Sequence, residues 1–269
     1  LNIGILGCGF IGTTIACAVQ DMERVDSILL YDRDYDSAVK LSTRIDRSRI
    51  FPPADLEGFI DGSDLVVEAA SQEAVRDVLP GVVEKGKDVM IISVGALVDD
   101  ELLSSLKERA AKSSSSILIP SGAVAGVDGI TSASMADIES VTLTVRKPPT
   151  GLTLPPSLNH HAAEIKNAEE PVTLFEGSAR EAVKLFPRNV NVAATIAVAG
   201  IGFDRTTVKI IADPKVSRNQ HHVHVRGRFG EMDIRMLNQP STTNPRTSYL
   251  APLSAISVLR KLLTGFHVG

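Results

Sequence analysis

The chain predicts an α/β fold: a doubly wound parallel sheet, then a second α+β domain with a mixed or antiparallel sheet. Three observations carry this expectation. A glycine turn close to the first residue separates a short apolar run from a helical pattern. Apolar strand patterns and helix patterns then alternate as far as residue 126. Beyond that point the strands alternate in polarity and few helices separate them. Short apolar strands joined by helices belong to a parallel sheet covered on both faces, whereas alternating strands belong to a sheet with one open face.

The first unit is the most informative. Asn2–Leu6 reads as a buried strand, Gly7-Cys8-Gly9-Phe10-Ile11-Gly12 follows at once, and Thr13–Val19 continues as a helix. Strand, G-x-G-x-x-G, helix is the order of a Rossmann-type dinucleotide-binding unit. Gly7 permits the tight turn, Gly9 lets the backbone approach a pyrophosphate, and Gly12 lets the helix pack against the strand. The N–H groups at the helix start, around Phe10 and Ile11, then hold the diphosphate with the helix dipole behind them. A second strand, Ser27–Tyr31, ends at Asp32, twenty positions beyond Gly12. A carboxylate there accepts hydrogen bonds from the ribose hydroxyls; a helix cap or loop acid is the other reading of this residue. Arg33 bears on the choice of cofactor, because a guanidinium beside Asp32 can stack on adenine or meet a 2′-phosphate. NAD is favoured, with NADP kept open.

The alternation continues with a helix over Tyr35–Arg47, a strand over Asp64–Ala70 running into Ser71, and a helix over Gln72–Leu79 with Pro80 near its end. A strand over Asp88–Ser93, a helix over Asp99–Lys112 and a strand over Ser116–Pro120 lead into the turn Ser121–Gly126. Ligands of such sheets lie beyond the carboxyl ends of the strands. Ser71, Ser93 and the Ser121–Gly126 turn are therefore expected at the cofactor cleft. The second half reads as a strand over Glu139–Arg146, a proline-rich loop over Lys147–Ser157, helices over Ser178–Leu185 and Arg188–Gly200, and strands over Thr207–Asp213, His221–Arg228 and Asp233–Asn238. The apolar face of Ser248–Leu263 suits a closing helix that packs back on the first domain. This divides the chain into a dinucleotide-binding domain of residues 1–126, joined by 242–269, and a catalytic, substrate and dimerisation domain of residues 127–241.

Composition narrows the function classes. With 269 residues, 43% of them hydrophobic, the chain can bury a substantial core. Its 28 basic and 32 acidic residues give a net charge of −4, and no long basic run offers a nucleic-acid surface. Neither a signal-peptide pattern nor an apolar run of membrane-spanning length is present, so a cytoplasmic location is expected. The two cysteines, Cys8 and Cys17, read as buried thiols rather than as a disulfide or a metal site.

A nicotinamide enzyme needs a proton donor or acceptor, and histidine titrates nearest neutrality. Three of the six histidines lie in His221-His222-Val223-His224-Val225. On a strand, His221, Val223 and Val225 share one face, while His222, His224 and Arg226 share the other. His221 thus ends an apolar row, a setting for a tuned acid-base group or for a histidine satisfied by a backbone carbonyl. His160-His161 and His267 read as surface residues. Asn189 and Asn191 open the small-residue helix, as caps or as contacts to the nicotinamide amide. Arg188, Arg218, Arg226 and Arg246 are candidate carboxylate clamps.

Taken together, these residues resemble the L-aspartate dehydrogenase family. The resemblance runs from the glycine turn nearly to the end of the chain. Its most specific parts are Ser121-Gly122-Ala123-Val124-Ala125-Gly126-Val127-Asp128, Phe186–Thr195, Ala212-Asp213-Pro214 with Asn219-Gln220-His221, Gly227-Arg228-Phe229-Gly230 and Asn244–Ser248. The resemblance implies NAD(P)-dependent oxidative deamination of L-aspartate to oxaloacetate and ammonia through iminoaspartate, or the reverse, with a link to NAD biosynthesis. It implies His221 as the acid-base residue, taking a proton from the water that adds to the iminium. It also implies NAD contacts at Ala125 and Asn191, and a homodimer. A small reductase of the homoserine dehydrogenase or dihydrodipicolinate reductase type is the rival enzyme, and an NAD-sensing module without catalysis is the rival from another class.

Overall fold

The structure is a computed structural model and describes residues 1–152, 154–186, 191–241 and 247–267. It divides into two compact units, Leu1–Pro120 with Pro252–Gly269, and Ser121–Ala251.

The first unit runs β1 (Asn2–Leu6), α1 (Phe10–Val19), β2 (Ser27–Tyr31), α2 (Tyr35–Ser42), β3 (Ser48–Phe51), α3 (Leu56–Gly62), β4 (Leu65–Glu68), α4 (Gln72–Glu84), β5 (Asp88–Ile91), a 3-10 turn at Val94–Val98, α5 (Asp100–Ser113) and β6 (Ile117–Leu118). The six strands are parallel in the order β3-β2-β1-β4-β5-β6. Chain order reverses between β1 and β4, and a crevice opens at such a reversal beyond the strand ends. The core packs Ile3 and Ile5 of β1, Ile15 and Val19 of α1, and Ile28 and Leu30 of β2 with Val67 and Met90. The last helix of the chain adds Ala255, Leu259 and Leu263 to this core. Their spacing of four places them on one helical stripe.

Several elements differ from the sequence expectation. The helix begun at Tyr35 stops at Ser42 rather than Arg47, where Ser42 and Thr43 turn their hydroxyls onto the carbonyls of Val39 and Lys40. Hydroxyls that bond backward in this way compete with helix continuation. Edge strand β3 and helix α3 follow, both too short for their periodicity to be read; α3 starts where Asp55 accepts from the Gly58 N–H at 3.0 Å. Helix α4 continues past Pro80 to Glu84 because Leu79, Val82 and Val83 are all buried. Their burial offsets the one hydrogen bond that proline removes.

The second unit contains α6 (Val127–Ala133), β7 (Ile138–Lys147), 3-10 turns at Pro149–Gly151 and Pro156–His161, α7 (Ala162–Asn167), β8 (Val172–Ser178), α8 (Ala179–Leu185), α9 (Asn191–Ala199), β9 (Thr206–Ala212), β10 (Gln220–Gly227) and β11 (Gly230–Leu237). The chain ends in α10 (Leu250–Thr264), the helix placed above. The sheet order is β11-β10-β7-β9-β8. Strands β7 and β9 are parallel and the other pairs antiparallel, so the sheet is mixed. Edge strand β8 lacks a readable alternation and carries a register shift between Thr173 and Phe175, which hid it in the sequence. The buried face presents Val141, Leu143, Val145 and Lys147 from β7, Val208, Ile210 and Ala212 from β9, and His221, Val223 and Val225 from β10. Helices α8 and α9 pack on β9. The expected helix over Arg188–Gly200 is observed as α9 from Asn191; residues 187–190 lie outside the described residues.

Candidate active site

A cleft of about 470 Å³ opens beyond the carboxyl ends of the parallel strands, lined among others by Gly7, Gly9, Asp32, Arg33, Ala70 and Ser71. The three glycines differ in why no side chain stands there. Gly7 has φ +100°, and a Cβ would meet the Ala69 and Ala70 backbone at 2.8 Å. At Gly12 a Cβ would lie 1.9 Å from the Gly7 carbonyl oxygen. Gly9 is different: its backbone is extended (φ −69°, ψ −164°), and a Cβ would meet no atom of the described residues within 4 Å. Among the described residues nothing demands glycine at position 9, whereas a ligand approaching the backbone would. The start of α1 fits the same ligand. No side chain caps it, and its first intrahelical bond is Thr13 N–H to Gly9 O at 2.9 Å. The amides of Phe10, Ile11 and Gly12 precede that bond and form the positive end of the helix dipole. By contrast, α3, α4 and α5 are capped by Asp55, Ser71 and Asp99. These residues fit a diphosphate.

Asp32 stands at the end of β2, half-buried. Its Oδ2 accepts from the Cys8 N–H at 2.7 Å and its Oδ1 from the Asp34 N–H at 2.9 Å. The carboxylate is thereby tied to the glycine turn, with lone pairs left for a ribose diol. Arg33 is exposed and turns towards Glu73 at 3.1 Å and Asp77 at 3.5 Å. Cys8 is buried; burial first, then the Asp32 charge, push its thiol up to about 12, so it stays protonated. Cys17 is half-buried rather than buried. Ser71 lines the cleft, exposed, and its Oγ caps α4 by accepting from the Ala74 N–H.

Ser93 departs from expectation: its Oγ donates to Glu68 Oε1 at 2.9 Å instead of facing the cleft. Glu68 is fully buried and also accepts from the N–H groups of Ala70, Ile92 and Ser93. It thus ties the loops after β4 and β5 together. Burial pushes its pKa up. An acid at the end of the apolar run Leu65-Val66-Val67 was the signal for it in the sequence.

In the second unit the buried face ends in a polar cluster. His221 is 4% exposed, opposite Val145 on β7 and Met236 on β11. Its Nδ1 lies 2.9 Å from Nδ2 of Asn238, which also donates to the Ala123 carbonyl at 2.8 Å. Asn219 and Lys147 are buried close by in the fold, Asn219 just before β10 and Lys147 at the end of β7, each two residues from that pairing. Burial pushes Lys147 down to about 8. Burial, then the Lys147 charge, push His221 down to about 3, so the imidazole is neutral. Lys147 was missed as a site residue although it continues the row Val141, Leu143, Val145; Asn238 carries no sequence signal beyond standing at a strand end.

Ala125 is exposed in the turn between Gly122 (φ +67°) and Gly126 (φ +74°). Asn191 is exposed at the start of α9. Arg226 lies on the outer face of β10, turned away from the His221 row, so it is no clamp for a ligand at that row. His222 and His224 share that outer face and pair with Asp233 and Glu231 at 2.7 Å. Arg218 is half-buried. Arg188, Asn189, Asn244 and Arg246 lie outside the described residues. His161 is exposed and bonds Glu164 at 3.0 Å, and His267 is exposed. Among the described residues no helix is long and apolar enough to cross a membrane.

A glycine-turn cleft on a parallel sheet, with a separate mixed sheet holding a buried imidazole, defines a two-unit nicotinamide oxidoreductase. Comparison with known proteins narrows the class. Residues 128–262 match the family described as "Aspartate dehydrogenase, C-terminal", and residues 7–120 match "Homoserine dehydrogenase, NAD binding domain". The L-aspartate dehydrogenase of Methanosarcina mazei is 50% identical and that of Methanosarcina barkeri 48%, each alignment covering 100% of this chain and 99% of the relative. The crystal structure of aspartate dehydrogenase from Thermotoga maritima superposes with a TM-score of 0.78 at 27% identity, covering 100% of this chain and 99% of that one. The chain belongs to the aspartate dehydrogenase family.

Proposed function

We propose that the protein catalyses reversible NAD(P)-dependent oxidative deamination of L-aspartate to oxaloacetate and ammonia. The observation that carries this reading is the buried, neutral His221 beside Lys147 and Asn238, in a chain half-identical over its whole length to L-aspartate dehydrogenases. The homoserine name attaches only to the match over residues 7–120, whereas the match over the second unit is to aspartate dehydrogenase. An NAD sensor would gain nothing from a buried lysine and histidine held at such cost in solvation.

In this reading the first unit binds the dinucleotide. The amides of Phe10, Ile11 and Gly12 hold the diphosphate, Gly9 leaves room for it, and Asp32 accepts the ribose hydroxyls, with Ser71 at the cleft wall. Ala125 and Asn191 are further cofactor contacts by the family pattern. A bound nicotinamide would supply the hydride acceptor for the substrate Cα. NAD is favoured over NADP: Asp32 repels a 2′-phosphate, and Arg33 is already drawn to Glu73 and Asp77.

The second unit handles the substrate. Aspartate brings two carboxylates, and Lys147 supplies a buried cation at the end of the β7 row, next to His221. His221, neutral, addresses the reacting end of the substrate with its second ring nitrogen. A cytoplasmic location and a homodimer formed through the open face of the second sheet complete the proposal; sedimentation tests the latter. The function itself is tested by following reduction of NAD and of NADP with L-aspartate, homoserine and a cyclic imine. Aspartate-dependent reduction with NAD, and none with the other two substrates, is expected. Turnover of homoserine or the imine in place of aspartate contradicts the reading.

A further inference from the structure

The amide of Asn238 settles which nitrogen of His221 carries the proton. Oxygen and nitrogen of an asparagine amide are told apart by their partners. Here the partner is decisive, because the Ala123 carbonyl can only accept and lies 2.8 Å from Nδ2. The atom facing it is therefore the NH2 group. That group has a second N–H, and His221 Nδ1 lies 2.9 Å away. A ring nitrogen receiving a hydrogen bond offers its lone pair, so the proton of the neutral ring resides on Nε2. Protonating Nδ1 would set N–H against N–H in a buried place, at the cost of an unsatisfied donor.

The surroundings act in the same direction. Met236 of β11 and Val145 of β7 face the ring from the paired strands and carry no charge. Lys147 of β7 is the charged group acting on it, and its positive charge opposes an imidazolium. Asp213, buried near the same rim of the sheet, is paired with Arg146 at 2.7 Å.

We propose that Asn238 is a positioning residue for His221: it holds the ring as the neutral Nε2–H tautomer, so that the imidazole meets a substrate oxygen as a hydrogen-bond donor. The oxygen is a carboxylate or the C2 carbonyl of the keto acid, a choice that rests on the aspartate dehydrogenase reading; the tautomer does not. This replaces the role expected from the sequence, in which the ring takes a proton from water. A fixed donor aimed at developing negative charge is worth about a hundredfold or more in rate.

The test is a two-bond proton–nitrogen correlation spectrum of the full chain with nitrogen-15-labelled histidine, the His221 signals being those lost in His221→Gln. Wild type is expected to show Nε2–H with a bare Nδ1, unchanged between about pH 5 and 8. Asn238→Asp replaces the donor by an acceptor of the same shape. It is expected to move the proton to Nδ1 and to raise the titration of the ring. Asn238→Ala, which removes the donor without adding a charge, is expected to give a mixture of tautomers. An Nδ1–H pattern in wild type overturns the proposal. So does an Nε2–H pattern that persists unchanged in Asn238→Asp, or in Asn238→Ala if the aspartate variant fails to fold. Turnover of aspartate is measured alongside. Its absence with the Nε2–H pattern intact counts against the proposed function and leaves the tautomer assignment standing.

Discussion

Nδ2 of Asn238 lies 2.9 Å from Nδ1 of His221 while also donating to the Ala123 carbonyl, and this pair joins three separate stretches of the second unit in one buried contact. The Ser-Gly-Ala turn, the Asn-Gln-His segment and the end of β11 are far apart in sequence. The Asn238 amide links them, bonding the ring of one and the backbone carbonyl of another.

Alanine at Gly9 and at Gly12 separates binding from folding. Gly9→Ala adds a methyl group into space free of protein, so the melting temperature is expected to stay within a degree or two while NAD affinity falls about tenfold or more. Gly12→Ala drives a Cβ against the Gly7 carbonyl and is expected to cost about 1–3 kcal/mol of stability. Calorimetry with and without NAD reads both. Equal loss of stability in the two variants would contradict the account of Gly9.

Lys147→Met is expected to stabilise the protein and impair it. Folding holds the lysine pKa near 8, below its ordinary 10.5. The unfolded chain therefore binds the proton more tightly, and the charged side chain costs about 3 kcal/mol of stability at neutral pH. That cost is fully present below pH 8 and fades as pH rises to 10.5. The variant should unfold at higher denaturant concentration at neutral pH, with the advantage shrinking in alkali. Its KM for aspartate should rise about tenfold or more. An unchanged KM would remove Lys147 from the substrate site.

His221 gives stability an acid limb. The unfolded chain protonates this histidine near 6.5, the folded one near 3. Between those values the unfolded state holds one more proton, so stability falls with decreasing pH, by up to about 1.4 kcal/mol per pH unit. His221→Gln should flatten this limb relative to wild type in denaturant titrations at each pH. Parallel curves would show that the ring is not buried neutral.

Glu68→Gln tests the brace between β4 and β5. Both carboxylate oxygens accept from backbone N–H groups. A glutamine must turn its NH2 towards some of those donors and should cost about 1–3 kcal/mol in urea unfolding. A variant as stable as wild type would show that the carboxylate is not needed as an all-acceptor group.

Much of this was legible beforehand. The strand–glycine turn–helix order located β1 and α1, and Ser27–Tyr31 ended at Asp32, because close backbone approaches force glycine and buried parallel strands force apolar runs. His221 was placed on the buried face by alternation alone. What escaped depended on tertiary context. Strands β3 and β8 sit at sheet edges, where partial exposure blurs alternation. Helix α4 ran through Pro80 because core burial outweighed one hydrogen bond. Lys147 reads as the first residue of the proline-rich loop, and Asn238 as the end of a strand, until the sheet register brings them to the same rim as His221. Ser93 has the right position for the cleft but is claimed by Glu68, a partner identifiable only once β4 and β5 are paired.

The central claim, that this chain oxidises L-aspartate using His221, is tested most directly by the absorbance of reduced nicotinamide formed from NAD and L-aspartate by wild type and by His221→Ala. The account predicts turnover by wild type, a loss of about a hundredfold or more in kcat for the variant, and unchanged NAD affinity. Turnover by the variant equal to wild type, or no aspartate-dependent reduction by wild type with either nicotinamide cofactor, would contradict it.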